Sequence, residues 1–411
     1  MTIKTEEIIA SFEQNVIPCY ARKAIALTHG KGTKVWDADG KVYLDFIAGI
    51  AVNNLGHCHP RVVEAIKKQA EQLLHVSNLY CHENQGLLAK TLAGLAGFQG
   101  GKCFFCNSGA EANEGLIKLA RLWGHERKRH EIITMRNSFH GRTLATLTAT
   151  GQSKVQKGFE PLPAGFVYAD FNNLDSVKSA ITDKTVAVLA EPIQGEGGVV
   201  PAEKDFLLGL RALCDANDML LLFDEVQCGM GRTGEWFAFQ NYGVLPDAFA
   251  LAKALAAGLP MGAVVAAPKT ADVLQAGTHG STFGGGPCVC AAALAAIKAV
   301  REENLLQNAR EMGEKLKNGL QALANKYEHL KEVRGTGLML ALVLDQPAKE
   351  LEAKLMDIGL LALATAENVL RFLPPLNVKP NEVEEALEII DDVCAEWHGP
   401  ADEQPAESKT E

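Results

Sequence analysis

The sequence predicts an α/β fold in which a mostly parallel sheet carries helices on both faces. Three observations point there. From about Arg61 onward, helical stretches alternate with short apolar runs, the pattern of successive βαβ units. The apolar runs, such as "TVAVLA" and "MLLLF", are continuous rather than alternating, as expected of strands buried on both faces. Three of those runs end at an ionisable residue, Glu191, Asp224 and Lys253, and in open parallel sheets ligands bind beyond the carboxyl ends of the strands.

Taken in order, the first sixty residues contain "TKVWDADGKVYLDF", read as two strands joined at Asp39-Gly40, a strong hairpin turn pair. Then follow "RVVEAIKKQAEQLL" (helix), "KCFFC" (strand), "EANEGLIKLARLW" (helix), "TVAVLA" (strand), "DFLLGLRALCDAN" (helix) and "MLLLF" (strand). A long amphipathic helical region, roughly 290–327, leads to "GLMLALVLD" and a last helix near "EVEEALEIIDDVCAEW". The tail "GPADEQPAESKTE" is polar and Pro-containing, and disorder is expected there.

Composition narrows the function. A length of 411 residues allows two domains. A net charge of −10 argues against nucleic acid or an anionic membrane as the main partner. No apolar run approaches the roughly 20 residues of a membrane span, and the N-terminal stretch is acidic with no apolar signal core, so a cytosolic protein is expected. Ten cysteines lie mostly in apolar contexts and read as reduced thiols. Cys103 and Cys106 have CxxC spacing without a second pair nearby, so no metal site is expected.

Lys253 is the only ionisable residue between Asp247 and Lys269. Apolar surroundings lower a lysine's pKa and make its neutral amine a nucleophile suited to Schiff-base chemistry. The alternative is a buried stem with a snorkelling head. Ser108-Gly109-Ala110, between a strand and a helix, lets backbone N–H groups approach a phosphate at a helix N-terminus, although an ordinary helix cap looks the same. "GMGRTG", Gly229 to Gly234, matches GxGxxG but is followed by no clear helix, and Asp247 comes too early for a nicotinamide fingerprint. A phosphate cradle, an isolated lysine and a strand-end carboxylate are together the parts that hold pyridoxal phosphate, the carboxylate pairing with the pyridine nitrogen. Phe139 offers an aromatic face for the ring.

The motifs "GIAVNNLGHCHP", "FFCNSGAEANEGLIKLAR", "FHGRTLATL", "AEPIQGEGGV", "LLFDEVQCGMGRTG", "GTHGSTFGG" and "VLRFLPPLNV" resemble, in order, those of the class III aminotransferases. The resemblance covers about residues 17–390. It implies a fold-type I pyridoxal-phosphate-dependent transferase: a small-domain segment over 1–60, a large cofactor-binding domain over 61–300, the rest of an α+β small domain over 301–396, and a tail over 397–411. It implies Lys253 as the Schiff-base lysine, Gly109 and Ala110 at the phosphate, and Phe139 over the ring. Asp224 falls at the ring nitrogen and Gln227 at the ring hydroxyl, with Glu225 and Val226 in the same cofactor-facing stretch. Thr282 is implied to reach the phosphate of a neighbouring subunit, making a homodimer with shared sites. Arg142, with Ser281, is implied to bind the carboxylate of an acylated amino acid. Arg371 is implied to receive the α-carboxylate of glutamate, with Glu196 covering it when a terminal amine enters. The alternative for each arginine is a surface salt bridge.

The implied reaction is ping-pong transamination between N-acetylornithine and 2-oxoglutarate, a step of arginine biosynthesis. Ornithine, 4-aminobutyrate, succinylornithine and succinyldiaminopimelate are alternative amines, and a non-catalytic cofactor-binding protein is the alternative from another class. Two positions depart from the family pattern: Gly286, where asparagine is usual, and Ala257, where glycine is common.

Overall fold

The computed structural model describes residues 4–397. Its centre is a seven-stranded sheet in the order Lys102–Cys106, Gly262–Ala266, Ala248–Leu251, Leu220–Asp224, Thr185–Ala190, Glu131–Met135, Phe166–Ala169. Every pairing is parallel except the two made by Gly262–Ala266, which runs antiparallel to both neighbours. The two central runs behave as their composition demands: every residue of Thr185–Ala190 and of Leu220–Asp224 is buried. Apolar clusters form on both faces, one around Phe206, Phe223 and Phe249, the other around Leu116, Leu189 and Leu222. Neighbouring residues of one strand thereby serve opposite layers.

The hairpin at Asp39-Gly40 forms as expected, joining Lys34–Asp37 to Val42–Asp45. Gly40 takes φ +89°, and the Asp37 carboxylate accepts the N–H groups of Asp39 and Lys41 at 3.0 and 2.8 Å. This sheet is completed from the other end of the chain, because Leu360–Leu361 pairs in parallel with Val42–Asp45. A further four-stranded sheet comprises Leu330–Thr336, Met339–Leu344, Val369–Phe372 and Leu363–Thr365, and it carries Arg371.

The helical region expected over 290–327 is two helices, Pro287–Glu302 and Leu305–Lys326, separated at Asn304 with φ +54°. Asparagine tolerates that left-handed conformation better than most residues. Residue 300, the expected domain boundary, falls inside the first of them. The last helix spans Pro380–Glu396. Trp397, assigned to the tail from sequence, is 2% exposed and meets the His329 ring edge to face; residues 398–411, the rest of that tail, lie outside the described residues. Among the described residues no helix is long and apolar enough to cross a membrane.

Candidate active site

The three strand-end residues converge. Glu191, Asp224 and Lys253 line one cavity of about 430 Å³ at the carboxyl ends of the central strands, so the reading in which each charge simply faces water does not hold: Glu191 and Asp224 are 5% and 4% exposed.

Asp224 is held from three sides. Its Oδ2 accepts from His140 Nδ1 at 2.8 Å and from Asn113 Nδ2 at 2.7 Å, and its Oδ1 from the Val226 N–H at 3.0 Å. Neither His140 nor Asn113 was picked out from sequence. Asn113 lies one helical turn beyond Gly109 and therefore on the same face, a signal that was available. Burial opposes charge on His140, but the hydrogen bond and negative charge of Asp224 outweigh it and raise the ring's pKa.

Lys253 follows the strand Ala248–Leu251 after a break at Ala252 and opens a short 3₁₀ turn. Its φ of +43° is rare for a side-chain-bearing residue and is the kind of local strain found at functional positions. Burial lowers its pKa to about 8, against the opposing charge of Glu196. Ala257 ends the same turn at φ +49°, which explains why glycine suits that position. Gly286 precedes the helix Pro287–Glu302 in an extended conformation, and a Cβ there would come no closer than 3.4 Å to Phe283 O, so this departure leaves the local backbone undisturbed.

Helix Gly109–Gly124 points its N-terminus at the cavity, with Ser108, Gly109 and Ala110 in the lining. Ser108 Oγ accepts the Glu111 N–H at 3.2 Å. A Cβ on Gly109 would stand 2.8 Å from Val226 Cγ1, so glycine is what lets Val226 close the cavity there. Phe139 lines another wall, and the Arg142 guanidinium lies 5.5 Å from its ring centre.

Arg371 is fully buried on Val369–Phe372, just behind the lining residues Glu196 and Gln227. Its Nη1 donates to Glu196 Oε1 at 2.6 Å and to Gln227 Oε1 at 2.9 Å, while Gln227 Nε2 donates to Glu196 at 3.3 Å. Burial alone would raise the pKa of Glu196; the charge and hydrogen bond of Arg371 more than reverse this. Arg371 Nε and Nη2 are buried without a partner. The surface-salt-bridge reading therefore fails for Arg371.

Three assigned residues lie elsewhere. Glu225 is not in the cavity lining: its buried carboxylate accepts the N–H groups of Ala238 and Phe239, both at 2.8 Å, and so anchors the 3₁₀ helix Ala238–Tyr242. Burial pushes its pKa up to about 7. Strand alternation puts Glu225 on the opposite side from Asp224 and explains the miss. Ser281 and Thr282 also lie outside the lining. Ser281 Oγ accepts from Asn107 Nδ2 at 3.3 Å, and Thr282 is exposed beside Phe283, itself 66% exposed.

"GMGRTG" forms turns rather than a helix start. Its Arg232 is fully buried, donating to Leu338 O at 2.9 Å and also to Pro374 O and Asn54 Oδ1. All ten cysteines are free thiols.

A cavity entered by a helix N-terminus, with a lysine of lowered pKa, a buried carboxylate anchored from behind and an aromatic wall, has the donor set of a pyridoxal-phosphate site. Residues 19–394 match the family Aminotransferase class-III, and the chain belongs to that family. Among named relatives, the acetylornithine aminotransferase of Methanocaldococcus jannaschii is 51% identical over 380 residues, covering 92% of this chain and 95% of that one. The acetylornithine aminotransferase of Caldanaerobacter subterraneus is 50% identical over 381 residues, covering 92% and 96%. Of solved structures, an ornithine aminotransferase from Toxoplasma gondii, described with partial occupancy of PLP at its active site, superposes with a TM-score of 0.92 at 34% identity, covering 96% of this chain and 95% of that one. The acetylornithine aminotransferase of Elizabethkingia anophelis gives 0.86 at 33% identity, covering 96% and 100%.

Proposed function

We propose that the protein transfers the terminal amino group of N2-acetyl-L-ornithine to 2-oxoglutarate, giving N-acetyl-L-glutamate 5-semialdehyde and L-glutamate, with pyridoxal phosphate as cofactor. The observation that carries this reading is the closed Arg371–Glu196 pair at the cavity wall, 2.6 Å apart. It suits a site that must accept a terminal amine in one half-reaction and a dicarboxylate in the other, and the names of the relatives agree with it.

Pyridoxal phosphate, when bound, supplies an aldehyde for the amine and a ring that spreads the charge left on the substrate carbon after deprotonation. Gly109 and Ala110 would hold its phosphate at the helix N-terminus, Phe139 would cover the ring and Gln227 would serve the ring hydroxyl. Asp224, oriented by His140 and Asn113, fixes the negative charge for the ring nitrogen. Lys253 Nζ, whose pKa is lowered by burial to about 8, would take the proton from the substrate's terminal carbon and return it to the carbon on the far side of the transferred nitrogen, base then acid. Arg142 grips the carboxylate of the acylated amino acid, a task for which a forked guanidinium is suited. When 2-oxoglutarate enters, Glu196 leaves Arg371, whose free N–H donors then bind the α-carboxylate. Ser281 and Thr282, outside this chain's own cavity, serve the neighbouring site in a homodimer. The free thiols fit a cytoplasmic enzyme of amino-acid biosynthesis.

The test is a titration of the cofactor-loaded protein with N-acetylornithine and no oxo acid. Loss of the visible cofactor band supports the reading. A band that ignores N-acetylornithine and responds to ornithine or 4-aminobutyrate moves the substrate, and a protein that takes up no pyridoxal phosphate removes the reading.

A further inference from the structure

We propose that Glu191 is a positioning residue that locks the cavity-covering loop, residues 136–142, to the turn carrying Glu196, and thereby keeps Glu196 on Arg371. The inference rests on the transamination reading and adds a residue to which that reading gives no task.

Glu191 follows directly on the strand Thr185–Ala190. Its Oε2 accepts the N–H of Phe139 at 3.1 Å and its Oε1 the N–H of Gly195 at 3.3 Å. One rigid carboxylate thus spans the backbone of the aromatic wall and the backbone one residue before Glu196. The same two segments meet twice more. Gln194 Nε2 donates to Arg136 O at 2.9 Å, and a Cβ on Gly197 would stand 2.8 Å from Asn137 O, so the two backbones are in direct contact.

The turn is held against Gln227 and Thr365 from its other side as well. A Cβ on Gly195 would stand 2.4 Å from Gln227 Oε1, the oxygen that accepts from Arg371, so the turn can lie this close only with glycine there. Thr365 Oγ1 donates to Glu196 O at 3.0 Å. Side-chain freedom of Glu196 is what the exchange of substrates needs. Backbone freedom would leave the Arg371 charge uncovered at random, and Glu191 removes it. A buried carboxyl group suits this, since its two oxygens each accept from a different segment's backbone N–H.

The test uses Glu191→Ala and Glu191→Gln in the cofactor-loaded protein. Each half-reaction is followed separately, N-acetylornithine without oxo acid and the pyridoxamine form with 2-oxoglutarate, beside pyridoxal-phosphate affinity and thermal midpoint. In Glu191→Ala the kcat/KM for N-acetylornithine falls at least tenfold relative to that for 2-oxoglutarate, because a loose Glu196 leaves Arg371 charged against the amine substrate and open to the dicarboxylate. Cofactor affinity falls severalfold as the Phe139 wall loosens. Glu191→Gln, which keeps one acceptor oxygen, stands between, and carries the test if the alanine variant does not fold. Equal losses in both half-reactions, or an unchanged ratio, overturn the inference while the transamination reading stands. A wild-type protein without pyridoxal-phosphate uptake overturns both.

Discussion

Arg371 and Glu196 meet at 2.6 Å with the guanidinium wholly buried and the carboxylate still about one-third open to the cavity side. The pair is therefore asymmetric: the acid can rotate into solvent, whereas the base has nowhere to go. Removing the acid's cover leaves a buried cation needing an anion, which is a strong carboxylate receptor.

Replacing Arg371 by lysine keeps the charge and loses the planar fork. The KM for 2-oxoglutarate is expected to rise at least tenfold, about 1.4 kcal/mol, while the half-reaction with the acylated amine changes less. Steady-state kinetics with each substrate varied in turn checks this, and equal effects on both substrates count against the receptor role.

Lys253 makes the cofactor-free protein less stable at neutral pH. Its folded pKa of about 8 lies below a lysine's ordinary value of 10.5, so the unfolded chain binds more protons between those values and stability rises with pH across that window. Below pH 8 the cost is on the order of 3 kcal/mol. Cofactor-free Lys253→Met is thus expected to unfold at higher urea than wild type at pH 7, the gap narrowing as pH approaches 10.5. The same variant, loaded or not, loses turnover.

Asp224→Asn removes the carboxylate proposed to pair with the ring nitrogen and keeps the shape. Turnover is expected to fall at least a hundredfold with some cofactor retained, since a neutral amide does not stabilise a protonated pyridine. Unchanged turnover removes the ring-nitrogen assignment. His140, left without its anion, loses the cause of its raised pKa.

Arg232→Met leaves the carbonyls of Leu338 and Pro374 without their donor. Burial has already lowered the arginine's pKa to about 9, so part of the loss is offset by removing a buried charge. A net loss of about 2–4 kcal/mol is expected, read as a lower urea midpoint.

Ala257→Gly relieves a left-handed alanine. About 1 kcal/mol of added stability is expected, seen as a thermal midpoint higher by a few degrees or less in a chain of this size.

Much of this site was legible because its parts sit at ends of elements. Asp224 and Lys253 interrupt apolar runs, and Gly109 stands where a strand becomes a helix, so a linear reading exposes them. His140 and Asn113 hold Asp224 from 84 and 111 positions away, and only the closed fold tells which of several polar residues does so. Glu225 stands outside the lining because adjacency along an extended chain means opposition in space. The helix break at Asn304 went unseen since amphipathic periodicity continues on both sides of it.

Leu44 pairs with Leu360 and Asp45 with Leu361, and this has a meaning for synthesis. The opening hairpin leaves the ribosome early with one edge bare, and the strand that covers it arrives near the end. Until then the hairpin presents unpaired N–H and C=O groups that can attach to another chain. The large sheet between them can close first, with Lys253 already in place, while Arg371 is still to be made. The arginine proposed to receive the second substrate is thus added only after the large sheet is complete.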